Sequence, residues 1–171
     1  FGVRSQHEDG EGAPGTDPGE FNITHNITCD ADGWVYVADR ENHRVQVFDG
    51  SGRFQMQWNN LHRPCGLCMG NEVVPLYYIG ELGPMLDSNR LFPNLGPRLS
   101  ITTNTGAVLA RISPPRAGLG AGEFIAPHGL AVDSRGDVYI GEVSYTAWNA
   151  VFPQRPKPAH IRTLQKFERV S

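Results

Sequence analysis

One segment of this chain occurs twice. Gly19-Glu-Phe-Asn-Ile-Thr-His25-Asn-Ile-Thr-Cys-Asp30-Ala-Asp-Gly33-Trp-Val-Tyr36-Val-Ala-Asp39 returns 103 positions later, without a gap, as the run from Gly122 to Glu142. The copies share Gly, Glu, Phe, His, Asp, Gly, Val and Tyr at equivalent places, His25 matching His128 and Tyr36 matching Tyr139. A repeat of this length means that each copy is one supersecondary unit, stable only when stacked on its neighbours. A third, weaker copy lies between them: Pro64-Cys65-Gly66-Leu67 corresponds to Pro127-His128-Gly129-Leu130, and Tyr78-Ile79-Gly80-Glu81 to Tyr139-Ile140-Gly141-Glu142. The Gly/Pro-rich stretch from Gly83 to Pro97 is read as an insertion in this middle copy.

Each unit reads as short strands. In the first, His25 to Asp30 alternates, Asp32-Gly33 signals a two-residue hairpin, and Trp34 to Ala38 returns. Arg44 to Phe48 and Arg53 to Trp58 follow, and four strands in about 40 residues make one β-propeller blade. Thr163 to Val170 reads as a late strand of the last copy, and no stretch has strong helical periodicity. The expected fold is all-β, with about three four-stranded blades: residues 1–20 as an entry loop, 21–60 as a blade, 61–113 as a blade with the insertion, and 114–171 as a blade with a Pro-rich excursion. Propellers close with four to eight blades, and an unclosed array exposes sheet edges that pair with other chains. Three blades are therefore expected to be the C-terminal part of a larger propeller, or to need a partner chain to complete the ring.

The net charge of −3 and pI near 6.1 supply no basic field for a phosphate backbone, which argues against nucleic acid as a partner. No apolar run reaches membrane-spanning length, and three cysteines are too few for a disulfide framework.

The first strand of a blade lies nearest the propeller axis, so His25, Cys65 and His128 are expected around one channel. Two imidazoles and a thiol suit Zn²⁺; packing at the blade entrances is the alternative for the same residues. With Asp32-Gly33 as the turn, Arg40 falls opposite His25, where it could clamp a substrate carboxylate or pair with Asp39 or Glu41. The same register in the last copy puts Val143 opposite His128, with Glu142 one step along as a ligand, a neighbour of a ligand, or a blade-closing carboxylate like Asp39 and Glu81. The Cys65-Gly-Leu-Cys68 pair points to opposite faces of a strand and is a poor chelate. Asn22 and Asn26 begin glycosylation patterns, and Asn26 lies within a presumed inner strand.

These residues resemble a known family. The Gly-Glu-Phe entry, the Gly-x-Val-Tyr-Val-Ala-Asp hairpin and Asn42-His43-Arg44 leading into Val45-Gln-Val-Phe48 resemble NHL repeats, whose propellers commonly have six blades. Val37-Ala-Asp-Arg40-Glu-Asn42-x-Arg44-x-Gln46-x-Phe48 is similar to a segment of the catalytic lyase domain of peptidylglycine α-amidating enzymes. That resemblance implies an active-site role for Arg40 and zinc-ligand roles for His25 and His128. It implies cleavage of a peptidyl-α-hydroxyglycine, a substrate carrying a carboxylate, to a peptide amide and glyoxylate, and a secreted or periplasmic setting. The family's third zinc His, second Arg and Tyr belong to preceding blades, so these residues alone are expected to be inactive as a lyase. Gly129 stands where the family has a calcium-binding Asp, which argues against calcium. The other function weighed is a non-catalytic propeller platform that binds a protein or other ligand.

Overall fold

The computed structural model describes residues 14–112, 114 and 116–170, so most of the expected entry loop, residues 1–13, lies outside it. The first sheet is a four-stranded meander of β1 (Thr24–Cys29), β2 (Val35–Asp39), β3 (Arg44–Phe48) and β4 (Phe54–Trp58). The second contains β5 (Pro64–Met69), β6 (Tyr77–Glu81), β7 (Arg98–Thr102) and β8 (Val108–Ile112). The third holds β9 (Pro127–Val132), β10 (Val138–Glu142) and β11 (Leu164–Phe167). Every pairing is antiparallel. The innermost strands β1, β5 and β9 are neighbours across the sheets, β5 touching both others, as blades arranged around an axis require.

Packing follows from the period of two along each strand. On β6, Tyr77 and Ile79 join Tyr36, Val45, Val47 and Trp58 in the core between the first two sheets. Tyr78, on the opposite face, joins Leu99, Phe124, Val138 and Ile140 in the core between the second and third. The middle blade is thus covered on both faces, and all five residues of β6 are buried.

The hairpins differ from the two-residue expectation. Asp30 N–H donates to the Trp34 carbonyl and Gly33 N–H to the Asp30 carbonyl, closing a three-residue loop with Gly33 at φ 86°. The Asp30 carboxylate accepts from the N–H groups of Asp32 and Trp34 and from the Tyr36 hydroxyl. Asp133 repeats the device with Arg135, Asp137 and Tyr139. This explains why Asp, Gly and Tyr recur together: an aspartate satisfies the turn, a glycine takes the positive φ, and the tyrosine locks the aspartate.

The recurring Gly-Glu-Phe has a matching cause. The Arg44 guanidinium donates to the carbonyls of Thr16, Asp17 and Glu20, and Gln46 to that of Glu20. In the last copy Arg162 holds the carbonyls of Leu119, Gly120 and Glu123, and Gln165 that of Glu123. Each entry segment is thereby tied to the outer strands of its own blade.

Two expectations are corrected. The third sheet has three strands among the described residues rather than four. Between β10 and β11 the chain also forms a helix, α1 (Ser144–Val151), where no helical periodicity was read. Its eight residues include poor helix formers such as Tyr145, Thr146 and Val151, and it has no side-chain N-cap. Tertiary burial holds it instead: Ala147 and Trp148 pack on Leu82, Ile125, Ala126 and Cys65.

Candidate metal centre

A β-bulge interrupts each innermost strand at the same place. Thr24 pairs with Asp39 and Ile27 with Val37; Pro64 pairs with Glu81 and Gly66 with Gly80; Pro127 pairs with Glu142 and Gly129 with Gly141. The residues left over at these breaks include His25, Cys65 and His128. A bulge carries one residue out of the ladder and re-aims its side chain, and the three bulges bring these three side chains together. One ligand atom from each lies within 4.8 Å of the others. The imidazoles of His25 and His128 meet edge-on, with ring centroids 4.5 Å apart. Cys65 is fully buried, whereas both histidines are partly exposed.

The bulges and the three-residue turn correct the expected register. Arg40 is not the strand partner of His25, and Val143 is not that of His128; both lie past the last pair of their hairpins. Arg40 instead opens the 3₁₀ turn Arg40–Asn42. Its Nε donates to Glu41 Oε1 at 2.8 Å, the pairing weighed as the ordinary alternative. Glu41 in turn receives Arg63 Nη2 at 2.8 Å and Nε at 3.1 Å, and Asn89 Nδ2 at 3.2 Å. Glu41 engages the Nε of Arg40, and the guanidinium stands close enough to the trio to act on the Cys65 thiol.

The electrostatics suit neutral metal-binding imidazoles. Burial, His128 and the positive charge of Arg40 hold the His25 pKa below its ordinary value, and burial and Arg40 do the same for His128. Burial pushes the Cys65 thiol up to about 11, against the opposing pull of Arg40 and Arg63. Burial would also raise Glu41, but Arg63 and Arg40 outweigh it and hold the carboxyl low. Two guanidiniums against one carboxylate leave the surroundings of the trio positive, a field that favours an anionic ligand.

Glu142 does not face the trio. Its carboxylate accepts from the backbone N–H groups of Ile125 and Ala126 and from Gln165 Nε2, so it closes the blade. Asp39 and Glu81 act alike: Asp39 takes Asn22 N–H, Asn42, Arg44 and Gln46, and Glu81 takes His62 N–H, Arg98 and Ser100. Cys68 is turned away from Cys65, its Sγ lying 3.4 Å from the Met69 carbonyl.

Sequence reasoning missed Arg63 and Asn89 as parts of this site, and weighed Glu41 only as a partner of Arg40. Asn89 belongs to the insertion, where a 3₁₀ turn (Asp87–Leu91) folds back and Phe92 stacks on His43 with centroids 3.7 Å apart. The insertion therefore reaches the site through Asn89 and Glu41. Only the charge of Arg63, one residue before a repeat-matched proline, offered a signal.

Comparison with known proteins agrees with this architecture. Residues 25–48 match the NHL repeat. NHL repeat-containing protein 3 of Mus musculus is 30% identical over 159 residues, spanning 83% of this chain and 40% of that protein. Peptidyl-glycine alpha-amidating monooxygenase B of Xenopus laevis is 30% identical over 154 residues, spanning 87% of this chain and 16% of that protein. The chain thus spans well under half the length of either relative. A catalytically inactive virginiamycin B lyase from Staphylococcus aureus, crystallised with quinupristin, superimposes with a TM-score of 0.51 over 71% of this chain and 35% of its own. At 15% identity that likeness concerns the fold alone. The blade meander, the recurring Asp-Gly-Tyr turns and the matched repeat give this chain the architecture of β-propeller blades that carry an NHL repeat at residues 25–48.

Proposed function

We propose that this chain carries the metal- and carboxylate-binding part of a zinc-dependent lyase that cleaves peptidyl-α-hydroxyglycine to a peptide amide and glyoxylate. The observation that carries the reading is the convergence of His25 and His128, from the first and third blades, beside Arg40. The imidazoles fit zinc, since burial holds both pKa values low and neutral imidazole belongs to its ordinary ligand set. When bound, zinc would supply Lewis acidity toward a substrate oxygen.

The chain's own residues do the rest. Arg40, held through Nε by Glu41, presents its guanidinium to the substrate carboxylate, and Arg63 adds positive charge from behind. Partial burial of the histidines strengthens each of these attractions relative to water. The reaction balances without a co-reactant: the hydroxyl proton leaves, the C–N bond breaks, the carbonyl of glyoxylate forms, and the amide nitrogen takes a proton.

The test is glyoxylate release from an α-hydroxyglycine peptide by the zinc-loaded intact protein that contains this chain. Arg40→Ala should raise KM about 10- to 100-fold through loss of a charge-assisted hydrogen bond. His128→Ala should lower both zinc content and turnover. A folded, zinc-loaded protein that releases no glyoxylate would refute the reaction.

A second reading, a non-catalytic binding platform, draws on the insertion, whose Leu86, Leu91, Phe92 and Leu95 are all exposed. Clustered apolar exposure of this kind marks interaction surfaces. On that reading, removal of zinc leaves partner binding unchanged.

A further inference from the structure

We propose that Cys65 Sγ is the third protein ligand of this metal centre, so that the described residues alone hold a zinc ion through two nitrogens and one sulfur. The inference rests on the metal site of the reading above, and is independent of its reaction. The resemblance expects a third zinc histidine from a preceding blade; Cys65 takes its place here, because a catalytic zinc takes three protein ligands and keeps one position open.

Position argues first for Cys65. It occupies the same bulge in the middle blade that His25 and His128 occupy in the outer two, so the fold aims it at the same point. Distance argues next. With Zn–N near 2.0–2.1 Å and Zn–S near 2.3 Å, tetrahedral donors sit about 3.3–3.6 Å apart. Here the donors already lie within 4.8 Å, and rotation about His χ angles closes a gap of at most about 1.5 Å without moving a strand.

The surroundings argue third. Cys65 is backed by Leu82, Ile125, Ala126, Ala147 and Trp148, an apolar wall that fixes its Cβ and offers the sulfur no polar partner on that side. On the other side stands the Arg40 guanidinium, whose charge offsets that of a thiolate. The cysteine is not in a disulfide, and Cys68 is turned elsewhere. A nitrogen and sulfur donor set selects borderline or soft ions such as Zn²⁺ and Co²⁺ over Ca²⁺ and Mg²⁺, which prefer oxygen. It also gives α1 a purpose within the site, as the element that seals the wall behind the sulfur.

Cobalt distinguishes sulfur from nitrogen ligation by absorption. The metal-free intact protein that contains this chain is titrated with Co²⁺; the expected result is one ion per chain, a sulfur-to-cobalt charge-transfer band in the near ultraviolet, and loss of that band on adding Zn²⁺. Cys65→Ser should abolish the band and weaken binding by at least about tenfold, the least that even ligand-orienting partners are worth. Cys68→Ser should leave both unchanged, and thermal unfolding of Cys65→Ser confirms that the variant is folded. Cobalt binding without the band, a band that persists in Cys65→Ser, or no binding by the folded protein would each overturn the proposal. The first of these outcomes leaves the lyase reading standing on two histidines; a band from a protein that releases no glyoxylate would remove the reaction and keep the ligand.

Discussion

Asp39→Ala should cost far more than its place beside a surface turn suggests. The carboxylate is completely buried and accepts four hydrogen bonds, from Asn22 N–H at 2.8 Å, Asn42 Nδ2 at 2.9 Å, Arg44 Nε at 2.8 Å and Gln46 Nε2 at 3.1 Å. Arg44 is itself only 5% exposed. Breaking a buried pair by deleting one partner costs about 3–5 kcal/mol, because an uncompensated charge is left behind. Arg44 keeps its contacts with the carbonyls of Thr16, Asp17 and Glu20 and with Gln57, so the expected value is at the lower end, about 3 kcal/mol. That is a large share of the roughly 5–15 kcal/mol that stabilises a typical domain. The assay is urea unfolding followed by tryptophan fluorescence, with Trp58 in the adjoining core as reporter. Asp49→Ala is the matched control, since Asp49 also accepts four hydrogen bonds, from Ser51 N–H and Oγ, Arg53 N–H and Gln55, but on an exposed turn. If Asp39→Ala shifted stability by less than about 1 kcal/mol, or no more than Asp49→Ala, the blade-closing role assigned to Asp39, Glu81 and Glu142 would be wrong.

Two further outcomes follow from the site and its flank. Gly66→Ala would place a Cβ 2.6 Å from the His128 carbonyl oxygen, so β5 and β9 must part; unfolding should show a loss of about 1–3 kcal/mol, and cobalt affinity should fall with it, whereas unchanged affinity would mean that close strand approach does not set the ligand spacing. Burial and the neighbouring His62 lower the His43 pKa to about 4, below the unfolded value of 6.5. The associated stability is present above pH 6.5 and is lost as pH falls toward 4, on the order of 1–3 kcal/mol. His43→Asn, which tolerates the local φ of 56°, should flatten that part of the stability profile, and an unaltered profile would contradict the assignment.

Much of the fold is written locally. The alternation of β2 and β3, the aspartate–glycine turns and the recurrence of His25 and His128 were legible because each depends on neighbours within one hairpin. The errors have separate sources. Asp30 accepting from Asp32 and Trp34 makes a three-residue loop rather than the two-residue turn that Asp32-Gly33 suggests, and the shift moved Arg40 off the strand position opposite His25. Helix α1 escaped notice because its stability comes from Trp148 and Ala147 against another blade. Arg63, Glu41 and Asn89 are far apart in sequence: Arg63 reaches Glu41 from the next blade, and Asn89 reaches it when the insertion folds back.

The sequence by itself determined that three repeats of one hairpin-based unit stack into an array, and that His25, Cys65 and His128 stand at its equivalent inner positions, because strand periodicity and turn chemistry are local. Only the tertiary structure decided that the three side chains converge, that Arg40 reaches them from a 3₁₀ turn under the hold of Glu41, and that Glu142 turns away to close its blade. Convergence depends on where the bulges fall and how closely β1, β5 and β9 approach, and both are set by packing between blades that no single repeat contains.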